Sequence, residues 1–195
     1  TKQPVKLKID RDDDIIITGK RHDFYSDYEV GFNDKGIIEG VKIKLISRCG
    51  ISPDLSGPIN ARALLHIDNA YYLSDLVVEN YLCKTNTSSS TAFRGFGGNQ
   101  GMMIIENIID NVAKHLKKDP AEIRKNNFYQ KNKKNITHYG MKIQDNIINE
   151  LFEKLARDSK YLKRKNEIKK FNIKNKIKKK GIAITPVKFG ISFTT

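Results

Sequence analysis

Apolar and polar residues alternate at Val5, Leu7 and Ile9, which predicts a half-buried strand. The acidic run Asp12, Asp13 and Asp14 sits where a helix dipole favours carboxylates, and Ile15, Ile16 and Ile17 follow, so a short helix or turn is expected there. Residues 28–47 read as a hairpin: YEVGF enters a turn at Asn33-Asp34-Lys35-Gly36, and IIEGVKIKLIS returns from it. SPDLSGPIN reads as a loop, residues 61–68 as a helix, and LVVENYLC as another extended segment. Next comes a polar, then glycine-rich stretch, TNTSSSTAFRGFGGNQG. The helix predicted after it places Ile105, Ile108, Ile109, Val112 and Leu116 on one face. Asp119, Pro120 and Glu122 form a cap, a first-turn proline and a first-turn carboxylate, and start a helix to about Asn127. A further helix carries Ile147, Ile148, Leu151 and Leu155; the basic segment that follows is helical to about Asn172; GIAITPVKFGISFTT reads as strand, turn, strand.

Strands early and late with helices between, and no internal repeat, give an α+β or mixed α/β class rather than a regular doubly wound sheet. The chain starts without methionine and stops inside an apparent strand, so residues 1–195 are expected to be a piece of a longer protein.

Composition changes this picture only a little. The 195 residues suffice for a sizeable core, and 38% hydrophobic with 30% charged residues describes a folded chain. No apolar run is long enough for a transmembrane helix, and no basic-then-apolar leader is visible. Cys49 and Cys83 are too few for a disulfide framework, a four-cysteine zinc site or an iron–sulfur cluster, which suits a reducing, cytoplasmic setting. The net charge of +14 invites a nucleic-acid reading, but eleven basic residues against Glu167 place +10 of it within residues 160–180. That stretch has two interleaved aromatics, Tyr161 and Phe171, and one arginine, Arg164, where base stacking and phosphate clamping call for more of both. It reads as a lysine-rich surface helix or linker with a solvated basic face; a basic nucleic-acid-binding module is the alternative from a different functional class.

Several chemistries are excluded by motif. There is no phosphate-binding P-loop, Gly95, Gly97 and Gly101 miss the dinucleotide spacing, and no serine sits in a nucleophile elbow. His22, His66, His115 and His138 are scattered and make no H-E-x-x-H, so no metal ligands are assigned. What remains is Ala92-Phe93-Arg94-Gly95-Phe96-Gly97-Gly98. Glycines ahead of a helix let a ligand approach the backbone, and the helix start offers N–H groups to an anion; a glycine-rich connection with two buried phenylalanines and a surface arginine fits the same residues.

TAFRGFGGNQGM closely resembles a segment of the molybdenum-binding subunit of the xanthine dehydrogenase family. IDRDDDIIITGKRHDF, RALLHIDNAYYL, CKTN, PAEIRKNNFY and TPVKFGISFT resemble further blocks of that family in the same order, so the likeness covers essentially the whole chain. Asn99 stands where the family usually has proline, and the lysine-rich run before Gly181 is a second departure.

The resemblance implies an internal fragment of a molybdopterin-binding domain of the xanthine dehydrogenase/aldehyde oxidase type. The enzyme implied is an oxidoreductase that turns hypoxanthine and xanthine into urate with water-derived oxygen. Its electrons would pass through [2Fe-2S] clusters and FAD in partner domains or subunits to NAD. By the same likeness Arg62 is the catalytic, purine-binding arginine, Phe96 and Phe193 sandwich the purine with Thr194 beside it, and Arg94 contacts the molybdenum–molybdopterin cofactor. The general-base glutamate would lie outside this chain, so the isolated fragment should be inactive; the complete enzyme should be a homo-oligomer. A related hydroxylase of aldehydes or other N-heterocycles is the alternative within the superfamily, and Arg62 argues against the aldehyde version.

Overall fold

In the computed structural model, residues 2–190 are described; Phe193 and Thr194 lie outside them. Helix α1 (Arg11–Ile17) precedes strands β1 (Phe24–Phe32) and β2 (Ile38–Gly50). Helix α2 (Ser56–Leu65) and strand β3 (Leu76–Lys84) follow, then helices α3 (Gly98–Leu116), α4 (Pro120–Asn127), α5 (Ile148–Asp158) and α6 (Tyr161–Lys174). The class is thus mixed helix and strand, as expected.

The strands form a sheet of order β1-β2-β3, with β1 antiparallel to β2 (Tyr28 opposite Ile43) and β3 parallel to β2 (Ile43 opposite Val78). Parallel pairing demands a crossover, and the segment carrying α2 supplies it. The hairpin turn is held by Asn33, whose Oδ1 accepts from the N–H groups of Lys35 and Ile37 at 3.0 and 3.2 Å. Gly36 adopts φ +72°, and a β-carbon there would strike Ile123 Cδ1 at 2.4 Å. Val41, Ile43 and Leu45 alternate inward from β2, and the face of α3 bearing Ile105, Ile108, Ile109 and Val112 packs into the same core. Asp119 caps α4 by accepting from Ala121 N–H at 3.0 Å.

A buried polar network ties α3 to α4 and to the chain after α2. Arg124 donates to Glu106 (2.7 Å) and Asp110 (2.8 Å), while Glu106 also accepts from Asn69 and from the Tyr71 hydroxyl. Burial, then the neighbouring Glu106 charge, push the Tyr71 phenol well above its ordinary pKa.

Three expectations need correction. Val5, Leu7 and Ile9 are exposed and form no strand, because no neighbouring strand takes up their backbone groups. Residues 181–190 form none either; side chains bind the backbone of residues 186–190, as set out below. The loop-like SPDLSGPIN contains the first half of α2, since Pro58 falls in the first turn, where a missing N–H costs nothing. The helix expected around Ile148, Leu151 and Leu155 forms as α5, with Ile147 at its N-cap; Ile147, Leu151 and Leu155 are exposed, and Phe152 reaches the core, edge-on to Phe128 at 5.2 Å.

The lysines after Tyr161 are partly engaged within the chain. Lys165 pairs with Asp119, Lys179 Nζ donates to the carbonyls of Asn172 and Asn175 (both 2.6 Å) at the end of α6, and Lys180 Nζ lies 4.1 Å from the centre of the Phe171 ring. Cations at the C-terminal carbonyls of a helix answer its dipole, which gives Lys179 a structural task of its own. Among the described residues no helix is long and apolar enough to cross a membrane.

Candidate functional site

The glycine-rich loop leads straight into α3. Gly95, Phe96 and Gly97 all take left-handed backbone angles, φ +94°, +49° and +94°. Phe96 is the unusual one, since a residue with a β-carbon rarely adopts that conformation and does so where surrounding structure enforces it. The loop folds on its own bonds: Phe96 N–H donates to Phe93 O at 2.8 Å, Gly98 N–H to Gly95 O at 2.9 Å and Gln100 N–H to Gly97 O at 3.1 Å. Two of the donors at the start of α3 are therefore engaged within the loop, which narrows the anion-binding reading of that terminus.

Small residues bring α3 onto α2. A β-carbon on Gly97 would lie 2.0 Å from Ile59 O, and one on Gly101 2.2 Å from Ala63 O. This close approach sets Arg62, on α2, beside the glycine loop. Arg94 and Phe93 are exposed at the loop's outer edge. Arg21 fastens that edge, donating to Arg94 O at 2.8 Å with its guanidinium 4.4 Å from the centre of the Phe93 ring.

Arg62 is buried, with 6% of its surface exposed. Its Nη2 donates to Gly190 O at 2.8 Å, and its guanidinium lies 4.6 Å from the centre of the Phe189 ring. One turn later, His66 Nδ1 lies 2.9 Å from Arg62 O and its Nε2 accepts from Gly190 N–H at 3.2 Å. A carbonyl can only accept, so Nδ1 carries the proton and Nε2 is the bare acceptor: this is a neutral imidazole. Burial holds the His66 pKa below its ordinary value, and the charges of Arg62 and Lys188 add to that against the opposing hydrogen bond to Arg62 O.

Asp68 is fully buried; its Oδ2 accepts from Tyr129 Oη at 2.6 Å and from Lys188 Nζ. Asn69, at φ +43°, brackets the same segment: its Nδ2 donates to Pro186 O (3.0 Å) and its Oδ1 accepts from Lys188 N–H (3.0 Å). Lys188 Nζ also sits 5.4 Å from the ring centres of both Tyr129 and Tyr139.

Two buried side-chain oxygens at the start of α3, Asn99 Oδ1 and Gln100 Oε1, have no hydrogen-bond partner among the described residues. Gln100 Nε2 donates to His22 O at 3.3 Å, which fixes which end of its amide is the acceptor. Asn99 Oδ1 lies beneath Gly95, where a β-carbon would meet it at 2.1 Å. Unsatisfied buried acceptors are costly, and these fit a bound group rich in N–H donors, as a pterin is. Among the described residues, no group of three or more His, Cys, Asp and Glu could hold a metal ion.

Of the residues singled out from sequence, Arg62 and the loop bearing Arg94 and Phe96 are set on adjoining elements, while Phe193 and Thr194 fall outside the described residues. Sequence reasoning missed His66, Asp68, Asn69, Lys188 and Phe189. The signal available was that all five lie in RALLHIDNAYYL and TPVKFGISFT, two blocks already carrying Arg62 and Phe193.

Residues 1–128 match the molybdopterin cofactor-binding domain family. The chain is 42% identical over 194 residues to a xanthine dehydrogenase/oxidase of Gallus gallus and 44% identical over 193 residues to xanthine dehydrogenase 2 of Arabidopsis thaliana. These alignments take in 100% and 99% of this chain but only 14% of each relative. Among solved structures, the aldehyde oxidoreductase of Desulfovibrio desulfuricans superimposes with a TM-score of 0.70 at 24% identity, covering 78% of this chain and 16% of that one. Carbon monoxide dehydrogenase of Oligotropha carboxidovorans does so with a TM-score of 0.70 at 20% identity, covering 85% and 21%. Both share the fold.

Proposed function

The chain belongs to the molybdopterin cofactor-binding domain family, and on that premise we propose that it is part of a molybdenum hydroxylase that oxidises hypoxanthine and xanthine to urate. The molybdenum–molybdopterin cofactor supplies the oxidation, with oxygen derived from water and electrons leaving through [2Fe-2S] clusters and FAD in partner domains or subunits to NAD. Arg94 and the unpartnered Gln100 side-chain oxygen are the residues that would hold the pterin of that group.

The observation that carries the substrate reading is Arg62: a buried, permanently charged guanidinium braced by a carbonyl and an aromatic ring, one helix contact away from that loop. Attack on a purine ring carbon drives negative charge onto the ring and its exocyclic oxygen. A guanidinium fixed in advance stabilises that charge more in the transition state than in the ground state, and without reorganising. Phe96, and Phe193 beyond the described residues, would hold the flat ring between aromatic surfaces at small entropic cost. Thr194 would lie beside the ring.

The test is Arg62→Met in the complete enzyme. Xanthine turnover should fall roughly 10²-fold, the scale of losing one preorganised electrostatic donor, while molybdenum content stays at the wild-type level. Unchanged kinetics with xanthine would reject the assignment.

A further inference from the structure

We propose that Lys188 and Asp68 are positioning residues for Arg62, acting through the segment of residues 186–190; this rests on the reading of Arg62 given above. The Arg62 guanidinium meets two features of that segment, the Gly190 carbonyl at 2.8 Å and the Phe189 ring at 4.6 Å. What fixes the segment therefore helps to fix the guanidinium. Among the described residues the segment has no strand partner to do so. Its backbone is held by side chains that all follow Arg62 within seven residues: His66 takes Gly190 N–H, and Asn69 takes Lys188 N–H while donating to Pro186 O. Besides Arg62 itself, a charged pair fastens the segment: Lys188 Nζ on Asp68, a carboxylate with no exposed surface that also accepts from Tyr129 at Oδ2.

Asp68 is held through one oxygen, Oδ2, while its buried Oδ1 and the nearby His138 Nδ1 have no hydrogen-bond partner among the described residues. Lys188 and Tyr129 bond it directly, and His138 Nδ1 lies 3.9 Å away with its Nε2 donating to Leu64 O at 3.0 Å. In low-dielectric surroundings such an ion pair holds its geometry firmly, and removing one partner leaves a lone buried charge. With the Lys188 side chain released, the segment keeps only its hydrogen bonds to His66, Asn69 and Arg62; Phe189 and Gly190 gain room to shift, and the Arg62 guanidinium shifts with them. Displacements of an ångström in a group that stabilises developing charge suffice for large rate losses.

The experiment is a double-mutant cycle in the complete enzyme: Lys188→Met, Arg62→Met and the pair, each read as kcat/KM for xanthine with molybdenum content measured alongside. Lys188→Met should lower kcat/KM about 10-fold, mainly in kcat, at unchanged molybdenum content. In the Arg62→Met background the same change should cost less than about 2-fold, because its route to the reaction is already gone. Lys188→Arg should recover most of the activity. Should Lys188→Met fail to fold, Asp68→Asn combined with Lys188→Met removes both charges and enters the cycle in its place. If Arg62→Met lowers turnover and the Lys188 change either does nothing or multiplies in full with it, this inference falls and the reading of Arg62 stands. If Arg62→Met itself leaves xanthine kinetics untouched, the reading falls and this inference with it.

Discussion

Gly97 faces Ile59 so closely that a β-carbon built on it would lie 2.0 Å from the Ile59 carbonyl oxygen. Backbone, not side chain, meets backbone at this point, and neither partner can turn aside. The contact sets the distance between the helix that carries Arg62 and the loop that carries Phe96.

Gly97→Ala should therefore be worse than a glycine replacement elsewhere. Gly140 also has a left-handed angle, φ +86°, but nothing lies within 4 Å of a β-carbon there. Gly140→Ala should cost about 1–2 kcal/mol from conformation alone. Gly97→Ala adds about 1–3 kcal/mol of overpacking to a similar conformational cost. Urea midpoints of the two variants compare them directly; equal shifts would show that the helices separate freely.

Acid should destabilise the fold before its carboxylates titrate. His22, His66 and His138 all have pKa values held below the ordinary value of 6.5, in each case first by burial. Groups with a lowered folded pKa bind protons more readily when unfolded. Their contribution is complete above about pH 6.5 and is lost as pH falls through the folded values. Thermal unfolding measured at pH 7.5 and at pH 5.5 should show the lower midpoint at pH 5.5. His66→Gln should reduce that difference, since one of the three titrating groups is then gone. A midpoint that is flat or rises on acidification would contradict the neutral imidazole inferred from the Gly190 N–H bond.

Arg124 and Lys125 are neighbours with different expected costs. Arg124 is buried, its side chain 3% exposed, and holds Glu106 and Asp110. Lys125 pairs with Glu153 at 2.7 Å where both side chains are about half exposed. Arg124→Met leaves Glu106 largely buried without its counter-charge and should cost about 3–5 kcal/mol. Lys125→Met should cost about 1 kcal/mol or less, because solvent screens the pair. Denaturant titration of both variants checks the contrast.

The parts of the fold that sequence made legible are those whose cause is local. The period of Ile105, Ile108, Ile109 and Val112 predicts the buried face of α3, and Asp119 with Pro120 predicts the start of α4. Asn33 and Gly36 mark the hairpin turn through their own side-chain chemistry and backbone freedom. Long-range facts were not legible. The period that placed Leu151 and Leu155 together says nothing about whether another element covers them, and both are exposed. Likewise, the partners of Arg62, His66 and Asn69 in residues 186–190 are mostly carbonyls and N–H groups. Every residue carries those, so no sequence pattern distinguishes them. Asp68 and Lys188 were readable as charges but not as a pair, being 120 positions apart.

Asp119 gives the C-terminal third of the chain a shared fate. One oxygen caps α4 at Ala121 and accepts from Tyr161 Oη at 3.2 Å, while the other pairs with Lys165. The same carboxylate thus closes the start of one helix and anchors the first turn of another. Undocking α6 loosens the hold on the cap of α4, and fraying at α4 loosens the anchor of α6. In hydrogen exchange the two helix starts should open together, as a single cooperative unit, although they are about forty residues apart in sequence.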